Sequence, residues 1–176
     1  MDGFDLHHRI ALIGFMGVGK TTLGDELAKK LAYDFVDIDQ KIEEKYHMPT
    51  NQIFTQHGEH FFRKSEKSII SHYINKDNII LSLGGGAFLQ KDIKDLCLNH
   101  CIVVYLEMSW EYWKKRLDIL TDNRPLLQGK NINEIRQLFE SRLPIYKDYH
   151  CKVNIDGLHV VDASEKILFS LKRDQN

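Results

Sequence analysis

The sequence predicts an α/β protein, a five-stranded parallel sheet with helices on both faces, and three observations carry that expectation. Five short apolar stretches alternate with stretches of helical spacing. The first of them runs directly into a glycine-rich loop, Gly14-Phe15-Met16-Gly17-Val18-Gly19-Lys20-Thr21-Thr22, which satisfies the pattern G-x-x-x-x-G-K-[ST] at every fixed position. No linker rich in Gly, Ser or Pro interrupts the 176 residues, a length that suits a single domain spanning 1–176.

The first element is the strand Arg9-Ile10-Ala11-Leu12-Ile13, and the helix that follows the loop spans Thr22 to Leu31. Between them, Gly14, Gly17 and Gly19 open backbone conformations closed to residues with a Cβ, and the N–H groups through Val18 and Thr22 face one concavity. That concavity lies at the positive end of the helix, where anions bind. Lys20 supplies a compact cation for β- and γ-phosphates, and the Thr21 hydroxyl can ligate a magnesium ion. A triphosphate carrying Mg²⁺ uses all of these groups.

Phe35-Val36-Asp37-Ile38-Asp39 reads as the second strand, ending in two carboxylates. The helix before it carries the chain roughly 18 Å from the loop and the strand returns it, so Asp37 and Asp39 are expected at the carboxyl edge of the sheet. Residues 40–75 read as mostly helical, with Arg63 and Glu66 one turn apart. On an exposed face that spacing gives an ion pair worth only about 0.2–0.5 kcal/mol.

Asn78 to Leu83 is the third strand, followed by Gly84-Gly85-Gly86. A plain turn needs fewer glycines, and the run indicates close approach of a ligand to the backbone. A helix from about Gln90 to Leu98 leads to the fourth strand, Cys101 to Leu106, and Ser109 is placed to cap a helix reaching about Leu117. The polar stretch Asp118 to Lys130, with Asn123-Arg124-Pro125-Leu126-Leu127 inside it, has the length at which loops tend to be functional. A helix from about Asn133 to Tyr146 carries Arg136 and Arg142 and is ended or kinked by Pro144. Cys151 to Asp156 is the fifth strand, and Ala163 to Lys172 closes the chain as a helix.

Composition narrows the function classes. A formal net charge of −1 gives no electrostatic footprint for nucleic acid or a membrane surface, and no apolar run is long enough to span a bilayer. A cytoplasmic monomer is expected. Cys97, Cys101 and Cys151 form no C-x-x-C pair and read as buried, reduced thiols; His57 and His60 have helical spacing but no partners to complete a metal site. Asn75-Lys76-Asp77-Asn78 lacks the final aspartate of the guanine-reading N-K-x-D element, which argues against a guanine switch. Isolated arginines at 63, 124 and 142 supply forks for carboxylate or phosphate, as phosphoryl transfer to a small acceptor requires.

These motifs together resemble the shikimate kinase family: Gly14 to Thr22, Asp37-Ile38-Asp39, Gly58 through Arg63 to Glu66, Leu83-Gly84-Gly85-Gly86, Arg124-Pro125-Leu126-Leu127, and Arg142 followed by Tyr146. They stand in the correct order across roughly residues 9 to 155. The resemblance implies a P-loop kinase fold with a substrate-binding helical region at about 39–75 and a lid at about 118–130. It implies ATP as co-substrate, Mg²⁺ as cofactor and shikimate as acceptor. Thr21 and Asp37 would hold the metal, and Asp39 would contact the shikimate hydroxyls as candidate base. Arg63 and Arg142 would grip the carboxylate, with Glu66 orienting Arg63 and with Gly84, Gly85 and Gly86 beside the ring. Arg124 would cover ATP and act with Lys20 on the moving phosphoryl group.

The chain departs from the family pattern in three places. Arg116-Leu117-Asp118 stands where the family commonly reads Arg-Thr, so the resemblance gives Arg116 no secure adenine contact. No proline occurs in Asp156-Gly157-Leu158-His159, where the other side of the adenine site often lies. Met48-Pro49-Thr50-Asn51 is atypical of the substrate region and carries no implied contact. Two other readings are open on the residues alone. One is a kinase of the same scaffold acting on gluconate or a nucleoside monophosphate. The other is a nucleotide-binding regulator without turnover, against which the intact Lys20, Thr21, Asp37, Asp39 and Arg124 speak.

Overall fold

Parallel pairing runs through the whole sheet of the computed structural model, which describes residues 8–117, 127 and 129–173. Strand β1 (Arg9–Ile13) is central, β2 (Asp34–Asp37) and β3 (Ile79–Ser82) lie to one side, and β4 (Ile102–Glu107) and β5 (Cys151–Asn154) to the other. The spatial order is β2-β3-β1-β4-β5. Ile10 to Ile13, all of β3 and Val103 to Leu106 are buried, as expected of parallel strands covered on both faces. The β-branched, apolar sequences of these strands leave no face for water.

Helix α1 (Lys20–Leu31) follows the glycine loop, and the closing helix, Val160–Arg173, packs against it. Helix α2 (Ile38–Tyr46) begins directly after β2, with Asp37 as its N-cap accepting from the Gln40 N–H. Asp39 therefore sits in the first turn of a helix, not at a strand end. The carboxylate of Asp37 satisfies an orphan N–H of that turn, which ends the strand two residues early.

Helix α3 (Thr50–Tyr73) is broken at Gly58, whose φ of 80° lies outside the helical region. Helix α4 (Lys91–His100) precedes β4. Ser109 is the N-cap of α5 (Trp110–Trp113) by position only: it makes no side-chain cap bond, and after one turn the chain tightens to a 3₁₀ segment, Lys114–Arg116. Asp156 Oδ1 accepts from the Ser109 N–H instead. Helix α6 (Ile132–Arg142) opens on an Asn131–Glu134 capping box and passes at Pro144 into a 3₁₀ turn, Leu143–Tyr146. The closing helix is α7. Among the described residues no helix is long and apolar enough to cross a membrane.

This order brings three carboxyl ends into a row. Asp37 pairs with Ser82 and Ser82 with Leu12, so the β2 carboxylate, the glycine run after β3 and the loop after β1 share one edge of the sheet. That edge, where the chain leaves β1 toward opposite sides, is where ligands of open α/β sheets bind.

Candidate active site

The cleft at this edge has a volume of about 650 Å³. Its floor is the glycine loop, where Gly14, Gly17 and Gly19 adopt φ of 148°, 78° and 103°. A Cβ on Gly14 would lie 2.7 Å from the Leu106 carbonyl oxygen, so this glycine is needed for space as well as for its dihedral. Lys20 is buried, and its Nζ donates to the carbonyls of Gly14 (2.9 Å) and Phe15 (3.0 Å). Val18 is buried in the core, while Thr21 and Thr22 are exposed to the cleft.

Thr21 Oγ1 donates to Asp37 Oδ2 at 2.6 Å, and Ser82 Oγ donates to the same oxygen at 3.1 Å. Two hydroxyls and a carboxylate thus meet beside the phosphate loop. These are hard oxygen donors, the type that suits Mg²⁺. Ser82 had a signal in the sequence only as the last residue before Leu83 and the glycines.

At the other end of the cleft, the three glycines each admit a different group. A Cβ on Gly84 would lie 2.8 Å from Asp39 Oδ1 and 2.9 Å from Glu66 Oε1. On Gly85 it would lie 3.0 Å from the Met16 nitrogen of the phosphate loop, and on Gly86 it would collide with the Arg63 guanidinium. None of the three has positive φ. The absence of side chains here lets Asp39, Glu66 and Arg63 close on the run, and at Gly85 it lets the Met16 backbone approach.

Arg63 Nη1 donates to Glu66 Oε2 at 2.8 Å, and its Nε and Nη2 share Glu59 Oε1 at 3.3 Å. The pair is not a surface one, since the Glu66 side chain is 0% exposed. Burial, with the Asp39 charge adding and Arg63 opposing, pushes the Glu66 carboxyl up to about 7. Gln90 Nε2 donates to Glu66 Oε2 at 2.8 Å. Tyr146, buried and stacked on Tyr105, donates its hydroxyl to the Gly85 carbonyl. Burial drives its phenol upward, and the charges of Arg142 and Arg63 oppose that shift. Arg142 Nη1 is buried with no hydrogen-bond partner among the described residues.

Lys20, Thr21, Asp37, Asp39, Gly84 and Gly85 line one continuous cleft; Arg63, Gly86 and Arg142 are outside its lining. Arg124 lies outside the described residues, as does most of 118–130. The structure also gives weight to residues for which the sequence implies no contact. Pro49, Thr50 and Asn51 line the cleft, with Glu43 Oε1 accepting from the Thr50 N–H and hydroxyl at 2.7 and 2.8 Å. Arg116 Nη1 donates to the Gly17 carbonyl at 3.0 Å, and Trp113 Nε1 to the Met16 carbonyl at 2.7 Å. Trp113 is fully buried among Phe15, Trp110 and Phe139. Nothing in the local sequence marks it as a support of the loop.

A parallel sheet with a phosphate-binding loop at its carboxyl edge, and the buried Glu66–Arg63 pair beside the glycine run, defines a P-loop kinase of small molecules. The sequence profile described as shikimate kinase matches residues 16–171. The chain belongs to the shikimate kinase family. It is 50% identical to a shikimate kinase of Oceanobacillus iheyensis over 93% of this chain and 89% of that one, and 46% identical to one of Bacillus subtilis over 93% and 88%. Among solved structures, the shikimate kinase of Acinetobacter baumannii in complex with shikimate aligns at a TM-score of 0.90 with 33% identity, covering 97% of this chain and 96% of that one. A gluconokinase of Sinorhizobium meliloti, at 16% identity and a TM-score of 0.60, covers 96% of this chain and 93% of its own and shares the fold alone.

Proposed function

We propose that the protein transfers the γ-phosphoryl group of ATP to the 3-hydroxyl of shikimate, giving shikimate 3-phosphate and ADP. The observation that carries this reading is the 50% identity to a shikimate kinase over nearly the whole chain. The arrangement of the cleft supports it. The loop N–H groups and Lys20 hold the β- and γ-phosphates and neutralise charge as it spreads over the moving group. Lys20 Nζ, held on the Gly14 and Phe15 carbonyls, exchanges these acceptors for phosphate oxygens on binding.

Arg63 and Arg142 take the shikimate carboxylate, and Glu66 and Gln90 fix the plane of the Arg63 fork. The Gly84 and Gly85 backbone forms the wall of the acceptor pocket. Asp39 holds the 3-hydroxyl and takes its proton as the oxygen attacks the γ-phosphorus in line. The new bond joins that oxygen to phosphorus, the bond to the β–γ bridging oxygen breaks, and ADP leaves without a covalent enzyme intermediate. Arg124 adds a second cation for the transferring group.

Thr21 and Asp37 would hold Mg²⁺, with Ser82 orienting the carboxylate. Bound there, the ion would supply Lewis-acid neutralisation of phosphate charge. The reading is that of a cytoplasmic monomer with small-molecule partners. It is tested by ADP release with Mg·ATP against shikimate, quinate, gluconate, AMP and no acceptor. Turnover on shikimate above all others is expected; turnover on gluconate or AMP with none on shikimate would overturn the acceptor assignment.

A further inference from the structure

Resting on the carboxylate-acceptor reading above, we propose that Glu66 is a positioning residue that takes a proton from solution when an anionic acceptor seats on Arg63. The argument begins with how many negative groups one guanidinium serves. Arg63 holds Glu66 at 2.8 Å and Glu59 at 3.3 Å, both from its own helix α3. Asp39, from α2, converges with Glu66 on the point where a Gly84 Cβ would stand, within 3 Å of it on either side. From α4 and its N-cap come only the neutral Gln90 amide and the Cys97 thiol, which burial holds in its neutral form.

These carboxylates differ in what can relieve them. The Glu59 side chain is 63% exposed and is hydrated, whereas Glu66 is 0% exposed. Both donors to Glu66 arrive at Oε2, and its Oε1 is buried with no hydrogen-bond partner among the described residues. An acceptor carboxylate drawn to Arg63 competes for the charge that keeps Glu66 ionised and brings another negative group close. Glu66 cannot turn to water. The balance is restored when a proton from the buffer bonds to Oε1, leaving a neutral acid that still accepts from Gln90 at Oε2.

The carboxyl already stands near 7 without acceptor, so neutral pH is where the exchange is visible. Acceptor binding raises it further. The sign follows: the complex holds more protons than the free protein, so affinity falls as pH rises above the free value and is level below it.

Calorimetric titration of the whole protein with shikimate, in buffers of different ionisation enthalpy, reads the uptake directly. At pH 7 about half a proton per shikimate is expected, falling toward zero at pH 5.5, with Kd rising by up to about tenfold per pH unit above 7. Glu66→Gln keeps the shape and both Oε2 partners' geometry; it is expected to bind shikimate with heats independent of buffer. Gln90→Leu removes one donor to the ionised form, so the pH of greatest uptake should move upward. Buffer-independent heats in the unaltered protein, an equal uptake in Glu66→Gln, or an unmoved maximum in Gln90→Leu would each overturn the inference. Failure to bind shikimate in any buffer would sink the acceptor reading itself, a result distinct from binding without uptake.

Discussion

The phosphate end of the cleft is made from one run of residues, Gly14 to Thr22, and works mainly through backbone groups, whereas the acceptor end gathers side chains from segments between Asp39 and Tyr146. The first keeps its cation on carbonyl oxygens of its own loop, Lys20 on Gly14 and Phe15. The second keeps its cation on a sealed carboxylate, Arg63 on Glu66. The difference has an energetic meaning. A loop of N–H groups binds any polyphosphate, and its cost is met locally by glycine conformations. A buried ion pair is costly to assemble, and loss of one partner strands the other. On the proposed assignment, the donor site is general and cheap, and the acceptor site specific and dependent on the whole fold.

Lys20→Met gives the largest test of this contrast. The side chain is nearly isosteric, but the loop's own charge is lost from beside the moving phosphoryl group, and turnover measured by ADP release is expected to fall about a thousand-fold or more. Shikimate affinity, measured without nucleotide, should stay within about twofold. A parallel loss of shikimate binding would mean that the two ends are one cooperative unit.

Arg63→Ala probes the other side. Removing the fork from a desolvated carboxylate is expected to weaken shikimate binding by about 3 kcal/mol, roughly 150-fold, with ATP affinity unchanged. Arg63→Lys should restore little of this, because an ammonium cannot serve Glu66 and a substrate carboxylate in the same plane. Full affinity in the alanine variant would remove the carboxylate from Arg63.

The same contrast explains what could be read before any coordinates. The strands, the helices and the phosphate loop were legible because each is a local pattern: apolar runs, helical spacing, glycines before Lys20. The misplacement of Asp39 on a strand came from an apolar alternation that Asp37 interrupts by capping α2. Arg63 and Glu66 were visible as a helical pair, yet only the family resemblance separated them from an exposed ion pair, because Gly84, Gly86 and Gln90, which lie against them, come from elsewhere in the chain. Ser82 and Arg116 act through contacts that no spacing rule encodes.

Trp113 sharpens the comparison from its weakest side, because it shows that even the local loop leans on a distant residue. Its indole N–H donates to the Met16 carbonyl from a fully buried position, and Phe15 and Phe139 pack on its ring. Trp113→Phe keeps an aromatic ring in the cluster but leaves that carbonyl without its donor, which should cost about 1 kcal/mol and lower Tm by about 2–4 °C. Since Met16 also faces the Gly85 backbone, the displaced carbonyl bears on the loop before it bears on the arginines. KM for ATP is therefore expected to rise about fivefold while KM for shikimate holds. A rise confined to shikimate would place the strain on the glycine wall instead, and the loop would then be the self-sufficient element its sequence implies.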